Sequence, residues 1–126
     1  LIAYLDTQVV IWLAEGNTKP LSRDAKRLIE ESDLLVSPMA TFEFDILYEV
    51  RCTKMPWSAV RADLEYELGL RICDLSFSRI ADAARNDAWT RDPFDRLIVA
   101  NAKANSLAYL ISADEDIRKN YHRAVW

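Results

Sequence analysis

Short apolar runs alternating with amphipathic helical stretches predict an α/β fold, with a central parallel sheet of four to five strands flanked by helices in one domain over residues 1–126. Three observations carry this prediction. The apolar runs are nearly continuous, as in strands buried on both faces. Helical periodicity separates them. No Asn-Gly type of turn joins any two into a hairpin.

"LIAYL" is the first strand, and "DTQVVIWLAEGN" the helix after it, ended by Gly16 and Asn17. "LSRDAKRLIEES" is a second helix capped by Ser22, and "DLLVSP" a second short strand. "MATFEFDILYEVRC" reads as helix. Pro56 then breaks the chain before "SAVRADLEYEL", with Ser58 as the expected cap and Gly69 closing the helix. The weaker strand "LRICDL" precedes a helix over "SFSRIADAARNDAW", and a further helix follows in "RDPFDRLIVANA". "LAYLIS" is a fourth strand, "DEDIRKNY" a last short helix, and "RAVW" closes the chain without a clear assignment. No repeat, low-complexity tract or linker interrupts the pattern.

Composition narrows the function. At 51% hydrophobic and 10% aromatic residues, the chain has ample material for a core. No apolar run approaches a membrane span and no secretory signal is visible, so a cytoplasmic protein with no membrane partner is expected. The first residue is Leu1 rather than Met, which leaves residues upstream of it an open question. Cys52 and Cys73 are too few for a disulfide framework and read as half-buried thiols. Two glycines, Gly16 and Gly69, cannot build a Walker loop or a dinucleotide fingerprint. A single histidine, His122, leaves little room for histidine acid/base chemistry or a conventional zinc site. The net charge of −4 argues against a broad basic surface for nucleic acid. An acidic site holding divalent cations would draw phosphates by another route. If the chain is an enzyme, carboxylates do its chemistry.

Four acids sit where apolar residues belong. Asp6 is followed at i+3, i+4 and i+7 by Val9, Val10 and Leu13; Glu43 by Ile46, Leu47 and Val50; Asp95 by Ile98, Val99 and Ala102. Asp114 precedes Ile117 and Tyr121, with Arg118 the one polar exception. Asp45 and Asp63 fail the same test. Asp6 and Asp114 also end predicted strands, and ligands of open parallel sheets bind outside the carboxyl ends of strands. Converging carboxylates repel one another and raise one another's pKa unless a cation holds them, so the pattern points to Mg²⁺ or Mn²⁺, which take hard oxygen ligands. Each acid also has a plainer reading. Asp6 and Asp114 suit helix starts, Glu43 suits a helix surface, and Asp95 suits the N3 position of a capping box with Asp92 at the N-cap and Pro93 at N1. Asp92 is assigned to the cap and Asp95 to the metal.

The segments "YLDTQVVIWLAEG", "SPMATFEFDILYEV" and "RDPFDRLIVANAKANSLAYLISADEDIRKNY" resemble the PIN-domain ribonucleases, specifically the VapC-type toxins of toxin-antitoxin pairs. The most specific part is DPFDR-L-I-V-A-x-A followed by a strand and S-A-D. The resemblance implies a PIN-like fold and an acidic site of Asp6, Glu43, Asp95 and Asp114 binding Mg²⁺ or Mn²⁺. It implies Thr7 and Ser112 as hydroxyls orienting ligands or water, and Asp116 as an accessory acid. The implied activity is hydrolysis of RNA phosphodiester bonds by an endoribonuclease, and the implied partners are a cognate antitoxin and a second copy in a homodimer. Arg91, Arg96, Arg118 and Lys119 are near enough in sequence to contact RNA phosphates. Trp12 and Trp57 are candidate aromatic anchors for the partner, with packing as the default for both. The family commonly carries a His shortly before DPFDR, where this chain has "AWTRDPFDR". Two alternatives stand beside this reading. One is a catalytically silent PIN-like module that binds RNA or protein. The other is a haloacid-dehalogenase-like phosphatase, which would need a second Asp where Gln8 stands.

Overall fold

The computed structural model describes residues 1–126. Five parallel strands form one sheet: β1 (Ile2–Leu5), β2 (Asp33–Val36), β3 (Arg71–Ile72), β4 (Tyr109–Ile111) and β5 (Ala124–Val125). Their order across the sheet is β3-β2-β1-β4-β5. The chain therefore winds outward from β1 to one edge, returns to lay β4 against the other side of β1, and winds outward again. The reversal falls between β1 and β4, whose register pairs Ala3 with Tyr109 and Leu5 with Ile111. The gap beyond their carboxyl ends is where such sheets bind ligands.

Seven helices cover the sheet: α1 (Thr7–Ala14), α2 (Arg23–Glu31), α3 (Pro38–Glu49), α4 (Trp57–Leu68), α5 (Phe77–Ala84), α6 (Pro93–Ala104) and α7 (Glu115–Asn120). Their starts are written in the sequence. Asp6, Ser22, Ser37, Ser76, Asp92 and Asp114 each cap a helix with a side-chain oxygen that accepts a backbone N–H. Each such cap stabilises its helix by about 1 kcal/mol. The core follows the predicted stripes in α1, α6 and α7 but not in α3, where Phe44 and not the predicted Ile46, Leu47 and Val50 is buried. Val9 and Val10 of α1, Phe44 of α3, Ile98, Val99 and Ala102 of α6, and Ile117 of α7 bury against Tyr4, Leu34, Val36, Leu110 and Ile111 of the sheet. A smaller cluster of Ile80, Ala84 and Ala100 joins α5 to α6.

Several boundaries differ from the sequence reading. Ser58 is not a cap: α4 begins one residue earlier, at Trp57, behind Pro56, which offers no side-chain acceptor. The orphan Trp57 N–H is taken instead by Asp45 of α3 at 2.9 Å, a partner that local pattern does not reveal. The helix expected over residues 76–89 stops at Ala84. Residues beyond it turn, and the half-buried Arg96 guanidinium accounts for the stop, donating to the carbonyls of Ala84 at 2.9 Å and Arg85 at 3.1 Å. The third strand is only two residues long, and "RAVW" supplies the fifth, seated beside β4. No helix is long and apolar enough to cross a membrane.

Candidate metal centre

Asp6 leaves β1 and caps α1. Its Oδ1 accepts the Thr7 N–H at 2.9 Å and its Oδ2 accepts the Ser112 hydroxyl at 2.6 Å. Ser112 follows β4 directly, so this bond spans the reversal point of the sheet. The same hydroxyl accepts the N–H of Asp114 at 3.1 Å, and Asp114 in turn caps α7 by accepting the Ile117 N–H at 3.0 Å. Thr7, the first residue of α1, donates its hydroxyl to Glu43 Oε1 on α3 at 2.5 Å. One hydroxyl thus fixes each of two carboxylates. Both Thr7 and Ser112 are buried.

Asp95 differs from the other three. The capping box would have it reach back to the Asp92 N–H, but that N–H donates to the Thr90 hydroxyl at 3.1 Å. Asp92 alone caps α6, accepting the N–H groups of Phe94 at 2.9 Å and Asp95 at 3.4 Å. The Asp95 carboxylate therefore stands without a hydrogen bond and faces a cavity of about 320 Å³ that Asp6, Glu43 and Asp114 also line. Gln8, Leu47 and Ala113 complete the wall.

The electrostatics follow from this crowding. Burial raises the Asp95 carboxyl to about 7, and the charges of Asp92, Asp6, Asp114 and Glu43 add to the rise. Asp6 is pushed up by burial and by Asp114, against the Ser112 and Thr7 hydrogen bonds that favour its ionised form. Burial pushes Glu43 up as well, with the Thr7 hydroxyl opposing and Asp6 and Asp92 adding to the rise. As the side chains stand, no three of them are drawn close enough to ligate one ion. The donor set suits the metal: hard oxygens, strongly anionic, in an open cavity that leaves positions for water, as Mg²⁺ and Mn²⁺ require. An uncompensated buried carboxylate costs several kcal/mol, and a shared cation removes that cost.

A family model of the PIN domain matches residues 3–122. The chain belongs to the PIN domain family. No curated protein sequence matches it. Among solved structures, the PIN domain resembles a structure of VapBC2 from Rickettsia felis bound to a fragment of promoter DNA. The TM-score is 0.65 at 17% identity, covering 95% of this chain and 93% of that one. It also resembles VapC20 of Mycobacterium tuberculosis, a toxin that cleaves the sarcin-ricin loop, with a TM-score of 0.61 at 20% identity and 93% of both chains covered. At these identities the likeness is one of fold.

The remaining candidates fall at varied distances from the cavity. In this PIN domain Asp116 is exposed on α7 and is not among the residues lining it. Arg118 and Lys119 are exposed in the last turn of the same helix. Arg96 spends three N–H groups on the carbonyls of Ala84, Arg85 and Thr90. Arg91 is exposed beside it. Trp57 is core, packed edge-on against Phe44 with ring centroids 5.9 Å apart. Trp12 is half-buried against Trp126. Cys73 is buried and Cys52 exposed, rather than both half-buried. Sequence reasoning missed Gln8 as part of the cavity wall. Its one available signal was its place in the first turn of α1, beside Asp6 and off the buried stripe.

Proposed function

We propose that this chain is a divalent-metal-dependent endoribonuclease, the toxin of a toxin-antitoxin pair, that hydrolyses RNA phosphodiester bonds. The observation that supports it most is the gathering of Asp6, Glu43, Asp95 and Asp114, from four separate segments, around one cavity at the reversal point of the sheet. Membership of the PIN domain family supports it independently.

Asp6 and Glu43 would hold the ion with orientations set by Ser112 and Thr7. Asp114, steadied by its place at the start of α7, and Asp95 would complete the set. A bound Mg²⁺ or Mn²⁺ supplies polarisation of the scissile phosphate and a water acidic enough to act as nucleophile near neutral pH. Asp95, with no hydrogen bond of its own and flanked by other acids, is the group best placed to accept a proton. His122, exposed after α7, has no part in this scheme. The same reading gives the chain a cognate antitoxin and a homodimeric state, and RNA in the cytoplasm as its substrate.

The test is cleavage of a pool of cellular RNAs by the purified protein. Cleavage is expected with Mn²⁺ or Mg²⁺, lost in EDTA and retained in His122→Ala, leaving 5′-phosphate and 3′-hydroxyl ends. Products ending in 2′,3′-cyclic phosphate would mean attack by the ribose hydroxyl and overturn the mechanism. No cleavage under any metal condition, with RNA still bound, would favour a silent binding module.

A further inference from the structure

A second cavity lies on the other side of α6. It has a volume of about 330 Å³, and its lining includes Arg85, Arg91 and Arg96 together with Ala81, Pro93 and Leu97. Pro93, Arg96 and Leu97 are spaced i, i+3 and i+4 and so form one face of α6. Asp95 is turned about 100° from Arg96 and about 160° from Leu97. The first turns of this helix therefore divide an acidic cavity from a basic one.

Three cations around one small cavity are self-repelling, and the protein does little to offset them. Arg85 pairs with Asp82 at 3.1 Å, but the two side chains are 71% and 72% exposed, so water screens the pair. Neither Arg91 nor Arg96 has a carboxylate partner among the four ion pairs of the chain. Arg96 is the most constrained. Three of its five N–H groups are committed to backbone carbonyls, which fix the plane of the guanidinium and leave two donors. A planar, pre-oriented fork with spare donors suits the tetrahedral oxygens of a phosphate.

We propose that this arginine cavity is a phosphate subsite, resting on the endoribonuclease reading: it takes a further phosphodiester of the same RNA strand whose scissile phosphate is held over the carboxylates. A strand crossing the first turn of α6 would present one phosphate to each of the two cavities. This resolves how a chain of net charge −4, with its acids gathered at the reaction site, gains a grip on a polyanion. Phosphate is favoured over an acidic protein segment because the cavity shares a helix with the carboxylate site.

The experiment is fluorescence anisotropy with a short single-stranded RNA in EDTA, where no cleavage is expected, across a series of KCl concentrations. It compares wild type, Arg91→Gln, the double variant Arg85→Gln/Arg91→Gln, and the control Arg71→Gln, which removes the same charge at the start of β3. The double variant is expected to bind several-fold more weakly at physiological salt. Its slope of log affinity against log salt should be shallower by about 0.7 for each phosphate that is no longer neutralised, uniformly across RNA sequences. The control should match wild type. Inorganic phosphate distinguishes the source of the ligand: competition only at high concentration assigns the subsite to a strand phosphodiester. Tight phosphate binding that disappears in Arg91→Gln assigns it to free phosphate instead. Wild-type affinity and slope in the double variant overturn the proposal, as does failure of wild type to bind RNA at low salt. So does an oligoglutamate peptide whose binding, unlike that of RNA, depends on Arg91. The endoribonuclease reading fails separately, if wild type leaves RNA uncut with Mn²⁺ whatever its affinity. Circular dichroism of each variant verifies that it is folded.

Discussion

Tyr4 and Asp6 lie two residues apart on and just after β1, and each anchors a group of polar side chains. Around Tyr4 the members are neutral. Its hydroxyl donates to Cys73 Sγ at 3.0 Å and accepts from the side-chain amides of Asn105 at 2.8 Å and Asn101 at 3.3 Å. The Asn101 amide also donates to Cys73 Sγ, at 3.1 Å. Burial and the Cys73 thiol push the Tyr4 hydroxyl well above its usual range, so it stays protonated. Only Asn101 Oδ1 is left without a partner. Around Asp6 the members are acids, two hydroxyls tie down two of them, and Asp95 has no tie at all. The first group closes on itself and stitches β1, the segment after β3 and α6 together. The second is left open toward solvent. A closed neutral network serves stability, and an open anionic one keeps its binding capacity for a ligand.

The largest effect should come from the open group. Asp6→Asn keeps an oxygen for the Thr7 N–H but removes the charge. RNA cleavage should fall by about 10²–10⁴-fold, with Mn²⁺ binding by calorimetry abolished and the melting temperature in EDTA no lower than that of wild type. Cleavage at a wild-type rate would remove Asp6 from the site.

Tyr4→Phe probes the closed group from the same strand. It preserves the shape of the ring and strips three polar partners of their shared hydroxyl, which should cost about 1–3 kcal/mol by denaturant unfolding. Mn²⁺ affinity should not change. A variant as stable as wild type but weaker in metal binding would show the two groups to be one.

The pH dependence is the smallest effect and bears on Asp95. Its folded value of about 7 lies above that of an unfolded aspartate. Between these values the native state binds more protons than the unfolded one. In EDTA, therefore, stability falls as pH rises through the window from about 4 to about 7. Asp95→Asn should flatten that slope and melt at or above wild type near pH 8. With Mn²⁺ present the wild-type trend should reverse, because the ion binds the deprotonated carboxylates. Melting temperatures across pH, with EDTA and with Mn²⁺, check both signs. A loss of stability in Asp95→Asn that is equal in the two conditions would mark Asp95 as a helix-start residue and no more.

Local pattern made much of this legible. The stripes of Asp6 and Asp95 lie where periodicity put them, with Val9, Val10, Ile98, Val99 and Ala102 all buried. The Glu43 stripe is looser: Ile46 and Leu47 are only partly buried and Val50 is exposed, while the buried side of α3 runs through Ala40 and Phe44. Glu43 nevertheless lines the cavity, placed there by the packing of α3 against α1 and α6 and held by Thr7. Arg96 shows the opposite limit. Its place beside the acidic motif is visible in the sequence, but the three carbonyls upstream of α6 that fix its guanidinium are not.

The sequence by itself determined the parallel α/β architecture, the caps at Ser22 and Asp92 and the helix-start places of Asp6 and Asp114, and it put forward the four acids as candidates. These depend on spacing within a few residues, where the periods of helix and strand fix which side chains share a face. Only the tertiary structure decided that Asp45 and not Ser58 serves the start of α4. It alone made "RAVW" an edge strand and divided acids from arginines across α6. Those outcomes depend on which groups from distant segments meet. A buried donor takes whichever acceptor the packing brings within about 3 Å, and spacing along the chain does not encode that choice.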